Sequence, residues 1–512
     1  MTATTDKSIS LTGKHISYWI DSTLPTDYPA LPENLTVDVA IIGAGIVGIT
    51  AATLLKKAGK TVALIDSQKI AQGTSGKTTA KITALHRLIY DDLIKDFDIE
   101  TARIYGEANQ AAIAQVAKLV AEEQIDCDFK WCDAYTFARY TEDVDKIHAE
   151  VQAAQKANLP ASFVTDVDLP FAIAGAIKLP EQARFHVRKY LLNLANKIVG
   201  EGSYVFENTR VQEVNHSEPC EVVSDRGKII AQDVIVATNL PILDPGLFFA
   251  KAYPKRSYLV GARIDSSQAP EAMYIGAGKD DHSIRCTPLD DGSTLLIVGG
   301  QGHKVGETEN TQECYRKLEN YVRSEFKIET IDYRWSSQDM VSMDKLPYIG
   351  KLTPTSDHIY VATGFSLWGM SKGTMSAMVL ADIILGKANP WAKTFDSTRA
   401  TPFISKSSIK ENLDVATHWF GDRLKGLTDN SFDKVNINEG KILTIGIQKV
   451  AAYRDETNQV HAVSAVCPHL GCVVNWNNGE KSWDCPCHGS RFSCDGELLR
   501  GPAVKDLQVY DT

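Results

Sequence analysis

No stretch of the 512 residues approaches the ~20 consecutive apolar residues that a membrane-spanning helix needs, so no membrane span is expected. Basic runs are missing too, and the formal charge is −10, which argues against a nucleic-acid-binding surface. The stretch from Met1 to Asp21 is polar; it has no basic n-region, no apolar h-region and no twin-arginine pair. A cytoplasmic location is the expectation. Internal repeats and low-complexity segments are also absent. What remains, 44% hydrophobic and 23% charged residues, is an ordinary globular composition, and the length allows two to four domains.

The ten cysteines are unevenly spread. Cys127, Cys132, Cys220, Cys286 and Cys314 are scattered and read as buried thiols rather than a disulfide framework. The other five (Cys467, Cys472, Cys485, Cys487 and Cys494) crowd into the last fifty residues. There they form Cys467-Pro-His469-Leu-Gly-Cys472 and Cys485-Pro-Cys487-His488-Gly-Ser490. A structural zinc site also uses Cys/His pairs, but it would employ four of these groups and leave Cys472 and Cys487 spare. A Rieske [2Fe–2S] cluster takes two thiolates on one iron and two imidazoles on the other, at roughly −150 to +300 mV. The expected ligands are Cys467 and Cys485 on one iron, with His469 and His488 on the other.

These loops resemble the disulfide-containing Rieske proteins of respiratory and photosynthetic complexes more than the Rieske domains of ring-hydroxylating oxygenases. The resemblance implies a Cys472–Cys487 disulfide tying the cluster loops together. It places Ser490 as a hydroxyl donor to a bridging sulfide, and Phe492 where the highest-potential members carry Tyr. An intermediate potential follows. Arg500-Gly-Pro502-Ala503 resembles the proline loop over the cluster.

The front of the chain carries a second cofactor signal. Val37 to Ile42 is a β-branched run leading into Gly43-Ala-Gly45-Ile-Val-Gly48, a helical stretch, and a strand that ends at Asp66. This strand–GxGxxG–helix–strand–acid unit holds a dinucleotide: glycines for the turn, a helix N-terminus for the pyrophosphate, an acid for the ribose. Gly299-Gly-Gln-Gly302 follows a strand but no apolar helix follows it, so no second, nicotinamide-type site is supported.

Gly73-Thr-Ser-Gly76-Lys-Thr-Thr-Ala-Lys81-Ile-Thr83 resembles the second flavin-contacting loop of the D-amino-acid oxidase superfamily, in its glycine/sarcosine/amine oxidase branch. Ser17-Tyr-Trp19, Asp233 to Thr238, Asp290 to Gly300, Leu346 to Gly350 and Ile359 to Gly373 agree with that family in order over residues 17–390. The implied fold is an α/β FAD-binding domain (Rossmann-type, GR2-like) with an antiparallel β substrate domain, plus a C-terminal all-β Rieske domain. The expected division is 1–390 for the oxidoreductase, 391–430 for a connector and 431–512 for the Rieske domain. Within the first part, 86–180 is expected to be a largely helical insertion. Trp419-Phe420 in the connector is expected to serve interdomain packing.

The resemblance implies FAD contacts at Gly43, Gly45, Gly48, Asp66, Thr74, Ser75, Thr78, Thr79, Val211, Thr238, Gly364, Gly369 and Lys372. Lys372, Lys81, Arg256, Tyr258 and Arg285 are the candidate catalytic or substrate-facing residues, since an Arg can clamp a carboxylate bidentately. Trp368, Ser371 and His86 are also expected near the flavin. Cys286 does not match a covalent-attachment position, so the FAD is expected to be non-covalent. The implied reaction is oxidation of a small amine or amino acid at its C–N bond, with electrons leaving through the cluster to an external one-electron acceptor, protein or quinone. A Rieske-type oxygenase would need two His and a carboxylate on a mononuclear iron, and no such motif stands out. A relay between protein partners, without small-molecule turnover, is the alternative.

Overall fold

The computed structural model describes residues 11–308, 310–400 and 431–510. The expected anchor Trp419-Phe420 and connector residues 401–430 lie outside the described residues.

Strand Leu35–Ile42 is the organising element of an eight-stranded sheet. It pairs in parallel with Val62–Ile65 on one side and Lys228–Val236 on the other. Val39 to Ile42 are buried one after another, without polar alternation. That is the pattern of a parallel strand covered on both faces. Helices Ile46–Lys57, Val187–Ile198 and Gly369–Ile384 supply cover, the first packing against both others.

The second sheet has ten strands and is built on the long antiparallel pair Ala252–Ile264 and Ile328–Ser342. Thr294–Lys304, Ser283–Pro288 and Met273–Ala277 continue it, giving the expected antiparallel substrate sheet.

The 86–180 segment holds more helix than strand, as expected, but it also carries strands that this expectation does not include. Helices Ile89–Asp96, Ile99–Glu122 and Val144–Lys156 are present, the second started by Asp98, whose carboxylate accepts from Thr101 N at 2.7 Å. Strands Lys130–Ala138, Ser162–Val164 and Gly175–Arg184 alternate with them and extend the substrate sheet. Trp131, Tyr135, Thr136 and Phe137 favour a pleated surface. Their strand is completed by parallel pairing with Met273–Ala277, a long-range partner that helical periodicity cannot reveal.

The C-terminal region is all β. Gly440–Ile445, Gln448–Arg454 and Val460–Ser464 form one antiparallel sheet. Asn475–Asn477, Ser482–Asp484, Arg491–Ser493 and Leu498–Arg500 form another. This region is seated on the oxidoreductase through polar bonds, among them Tyr315 Oη donating to Glu480 at 2.6 Å and Thr311 Oγ1 donating to Asn477 at 2.6 Å. Among the described residues, no helix is long and apolar enough to cross a membrane.

Candidate active site

The first glycines make a cradle because nothing larger fits. Gly43 has φ +102°, and a Cβ there would lie 2.5 Å from the Ala237 carbonyl oxygen. At Gly48 a Cβ would collide with the carbonyl oxygen of Gly43, and at Gly45 it would sit 3.0 Å from Ser75 Oγ. Ser75 Oγ accepts from Ile46 N at 2.9 Å, which ties the second loop to the first turn of helix Ile46–Lys57. That helix starts at Gly45 with no side-chain cap, so its N-terminus presents backbone donors and positive dipole to an anion. Asp66 accepts from Ala44 N at 2.9 Å and Gln68 N at 3.0 Å, which fixes the carboxylate at the cavity wall.

A cavity of about 580 Å³ runs from this cradle to the substrate sheet. Gly43, Gly45, Asp66, Thr74 and Ser75 line its dinucleotide end, and Val211 and Thr238 stand beside them. Thr78, Thr79, Gly369 and Lys81 line the remainder. Glycine packing, helix N-terminus and cavity fit FAD. Gly48→Ala is expected to weaken FAD binding ~10-fold or more, because the new methyl must displace the Gly43 carbonyl; flavin fluorescence on dilution of the purified protein measures it.

The other expected flavin contacts stand behind the wall. Gly48 provides close packing, and Gly364 (φ +78°) turns the chain against Ser342 and Tyr348. Lys372 is one turn inside helix Gly369–Ile384, its ammonium 5.4 Å from the ring centre of Tyr105.

Three expected substrate-facing residues are engaged elsewhere. Arg256, 1% exposed, donates to Gln338 Oε1 at 2.8 Å and pairs with Asp484 at 2.7 Å, so its guanidinium serves the domain junction. Tyr258 is buried with its hydroxyl 3.0 Å from His303 Nε2. Arg285 donates to the carbonyls of Thr79 (3.1 Å), Ala80 (2.8 Å) and Phe185 (3.3 Å), clamping the flavin loop from behind. In each case the backbone position is near the site, but the side chain points to a partner distant in sequence.

At the substrate end Lys81 donates to Tyr274 O at 3.0 Å and Ser283 Oγ at 2.6 Å. Burial, reinforced by the charges of Arg285 and Arg87, pushes Lys81 down to about 7. Arg87, Lys255, Asp281 and Ser283 share this end of the cavity. Motif reading missed them; the one local sign is conformational, since Arg87 adopts φ +62°, a strained value for a non-glycine residue. A second cavity of about 610 Å³ shares Arg87, Asp281 and Gly302 with the first. At the first cavity's wall Trp368 is stacked on by His86 at 4.6 Å, and His86 also bonds Tyr105, Thr83 O (2.8 Å) and Ser371 Oγ (3.0 Å), which makes it a structural hub.

The cluster loops are built alike. Each starts Cys-Pro and turns at a left-handed glycine four residues on, Gly471 (φ +76°) or Gly489 (φ +81°). Each glycine N–H returns to its cysteine carbonyl: Gly471 to Cys467 O and Gly489 to Cys485 O, both at 3.0 Å. Cys472 and Cys487 are disulfide-bonded, and the Cys467 and Cys485 thiols face each other. The His469 and His488 rings lie 5.0 Å apart. His469 Nδ1 and both nitrogens of His488 are buried without a protein partner among the described residues, which fits a metal-ligand role. Ser490 is fully buried, and its Oγ accepts from Ala503 N at 3.0 Å, latching the proline loop over the site.

Comparison with known proteins matches both parts of the chain. Residues 38–383 match the FAD dependent oxidoreductase family, and 431–511 match the Rieske [2Fe-2S] domain. The chain is 38% identical over 499 residues, 97% of each chain, to the Rieske 2Fe-2S iron-sulfur protein YhfW of Bacillus subtilis (strain 168). It is 23% identical over 383 residues, 70% of this chain and 86% of the other, to gamma-glutamylputrescine oxidoreductase of Escherichia coli (strain K12). The fold of glycine oxidase from Geobacillus kaustophilus superposes with TM-score 0.59 at 19% identity, covering 71% of this chain and 99% of that one. The cofactors are FAD and a Rieske-type [2Fe–2S] cluster. The chain therefore belongs to the FAD dependent oxidoreductase family and carries a Rieske [2Fe-2S] domain at its C-terminal end.

Proposed function

We propose that this oxidoreductase is a dehydrogenase of an amine or amino acid, whose electrons leave through the Rieske centre to an external one-electron acceptor. One residue carries the reading. Gln338 lines the flavin cavity, and its main-chain oxygen accepts from Thr74 Oγ1 at 2.9 Å in the second flavin loop. Its side chain donates to the Gly489 carbonyl at 2.8 Å, next to the cluster ligand His488. Flavin wall and cluster loop are thus in direct contact.

FAD, when bound, supplies two-electron oxidation of a C–N bond, and the cluster carries electrons singly. The protein's part is to bind and orient. Arg87 and Lys255 offer cationic donors for a substrate carboxylate, while Asp281 offers an anion for an amine. Lys81, held by Tyr274 and Ser283, presents a group that is neutral above about pH 7 and able to accept a proton there. Two relatives in fold or sequence are named for amines, glycine and γ-glutamylputrescine, which supports the substrate class.

Anaerobic mixing with a panel of amines and amino acids tests this. Flavin bleaching followed by a rhombic cluster signal in electron paramagnetic resonance is the expected result. Bleaching by a reduced protein partner, with none by the panel, would replace it with the relay reading. With the substrate in hand, the bleaching rate is expected to rise with pH through about 7, as Lys81 loses its proton. Lys81→Met should be slow and flat across that range; an unchanged inflection removes Lys81 from the mechanism.

A further inference from the structure

We propose that Arg500 of the Rieske domain binds the pyrophosphate of FAD, so that the electron-accepting domain completes the flavin pocket. Strand Leu498–Arg500 lies at the edge of the four-stranded sheet, with Arg500 opposite Arg491. The chain then turns through Gly501, which packs against Ile242 of the oxidoreductase. This turn carries the Arg500 side chain across the junction, where Nη2 donates to Thr74 Oγ1 at 2.6 Å. Arg500 lines the same cavity as Gly43, Gly45 and Ser75.

Arg256 and Arg491 are neutralised by Asp484 and Glu480, whereas Arg500 pairs with no carboxylate among the described residues. Asp339 and, more weakly, Asp484 act on it through space, but the Asp339 oxygens accept from Asn239 Nδ2 and Leu367 N, both at 2.8 Å, and Asp484 is paired with Arg256 and Arg491. A guanidinium inside a cavity without a counter-ion is costly, and a bidentate Arg–phosphate contact removes the cost. The pyrophosphate is the anionic group of oxidised FAD. Thr74 places Arg500 beside it, because the next residue, Ser75, holds the first turn of the helix that faces the same phosphates. Flavin binding and Rieske docking then strengthen each other reciprocally.

Flavin release from the full-chain holoprotein on dilution, read by fluorescence, tests the assignment alongside the cluster signal. Arg500→Met is expected to raise the FAD dissociation constant about 10- to 100-fold with the cluster signal intact, and Arg500→Lys to recover part of the loss. Excess ADP, which carries a pyrophosphate, should displace FAD from wild type, and more weakly from Arg500→Met relative to its FAD affinity. Wild-type FAD release by Arg500→Met with a normal cluster overturns the proposal. So does equal competition by adenosine and ADP. If Arg500→Met loses the cluster, Arg500→Gln, which can keep the bond to Thr74, carries the same expectation and the same refutation.

Discussion

Asp484→Ala is expected to destabilise the protein by about 3–5 kcal/mol and to unseat the Rieske domain. The side chains of Asp484 and Arg256 are 7% and 1% exposed, and they meet across the junction at 2.7 Å. Asp484 also accepts from Arg491 Nε at 3.1 Å and Asn477 Nδ2 at 2.7 Å. Removing the carboxylate leaves two arginines facing each other in a buried interface, with Gln338 as the remaining partner of Arg256, and Glu480 and Ser482 those of Arg491. A buried charge stripped of its partner costs far more than the pair itself is worth. The double replacement Arg256→Met/Asp484→Leu should therefore recover most of the loss. Denaturant unfolding measures both, and small-angle scattering reports the domain arrangement. A cost below about 1 kcal/mol for Asp484→Ala, the value of an exposed pair, would show the junction to be wet.

The second large effect is expected at the cluster. Cys485→Ser should abolish the rhombic resonance signal and stop reduction of one-electron acceptors, because one iron loses a thiolate. Substrate should still bleach the flavin, since Cys485 does not line the flavin cavity. Iron analysis and acceptor assays separate the two halves of turnover. A variant still reducing acceptors at the wild-type rate would place the exit route at the flavin itself.

What could be read from the sequence was local. The GxGxxG cradle and the two Cys-Pro loops declare themselves within six residues, since tight turns and ligand spacing are short-range demands. Ordered resemblance over 17–390 added the substrate sheet. Contacts closed by tertiary packing stayed hidden. Arg256 has the charge and neighbourhood of a carboxylate clamp, but its partner belongs to a different domain. Arg500 and Thr74 are 426 positions apart, and no periodicity links them. Strand Lys130–Ala138 was masked by the strong helices on either side. Lys372 shows the same limit: a motif gives chain position and not side-chain direction, and its ammonium lies 5.4 Å from the ring centre of Tyr105.

The two cluster histidines also differ in what surrounds them. His488 is buried against the oxidoreductase, its ring 5.3 Å from Phe249. His469 is on a loop whose neighbours Val466 and Leu470 are 40% and 45% exposed. On the proposed reading the cluster would have an intake and an outlet, since the two imidazoles on its one iron face different surroundings, the flavin-bearing part and an exposed loop. Such a circuit needs no swinging arm: charge can enter and leave while every domain stays still, so traffic is paced by chemistry at one end and collisions at the other.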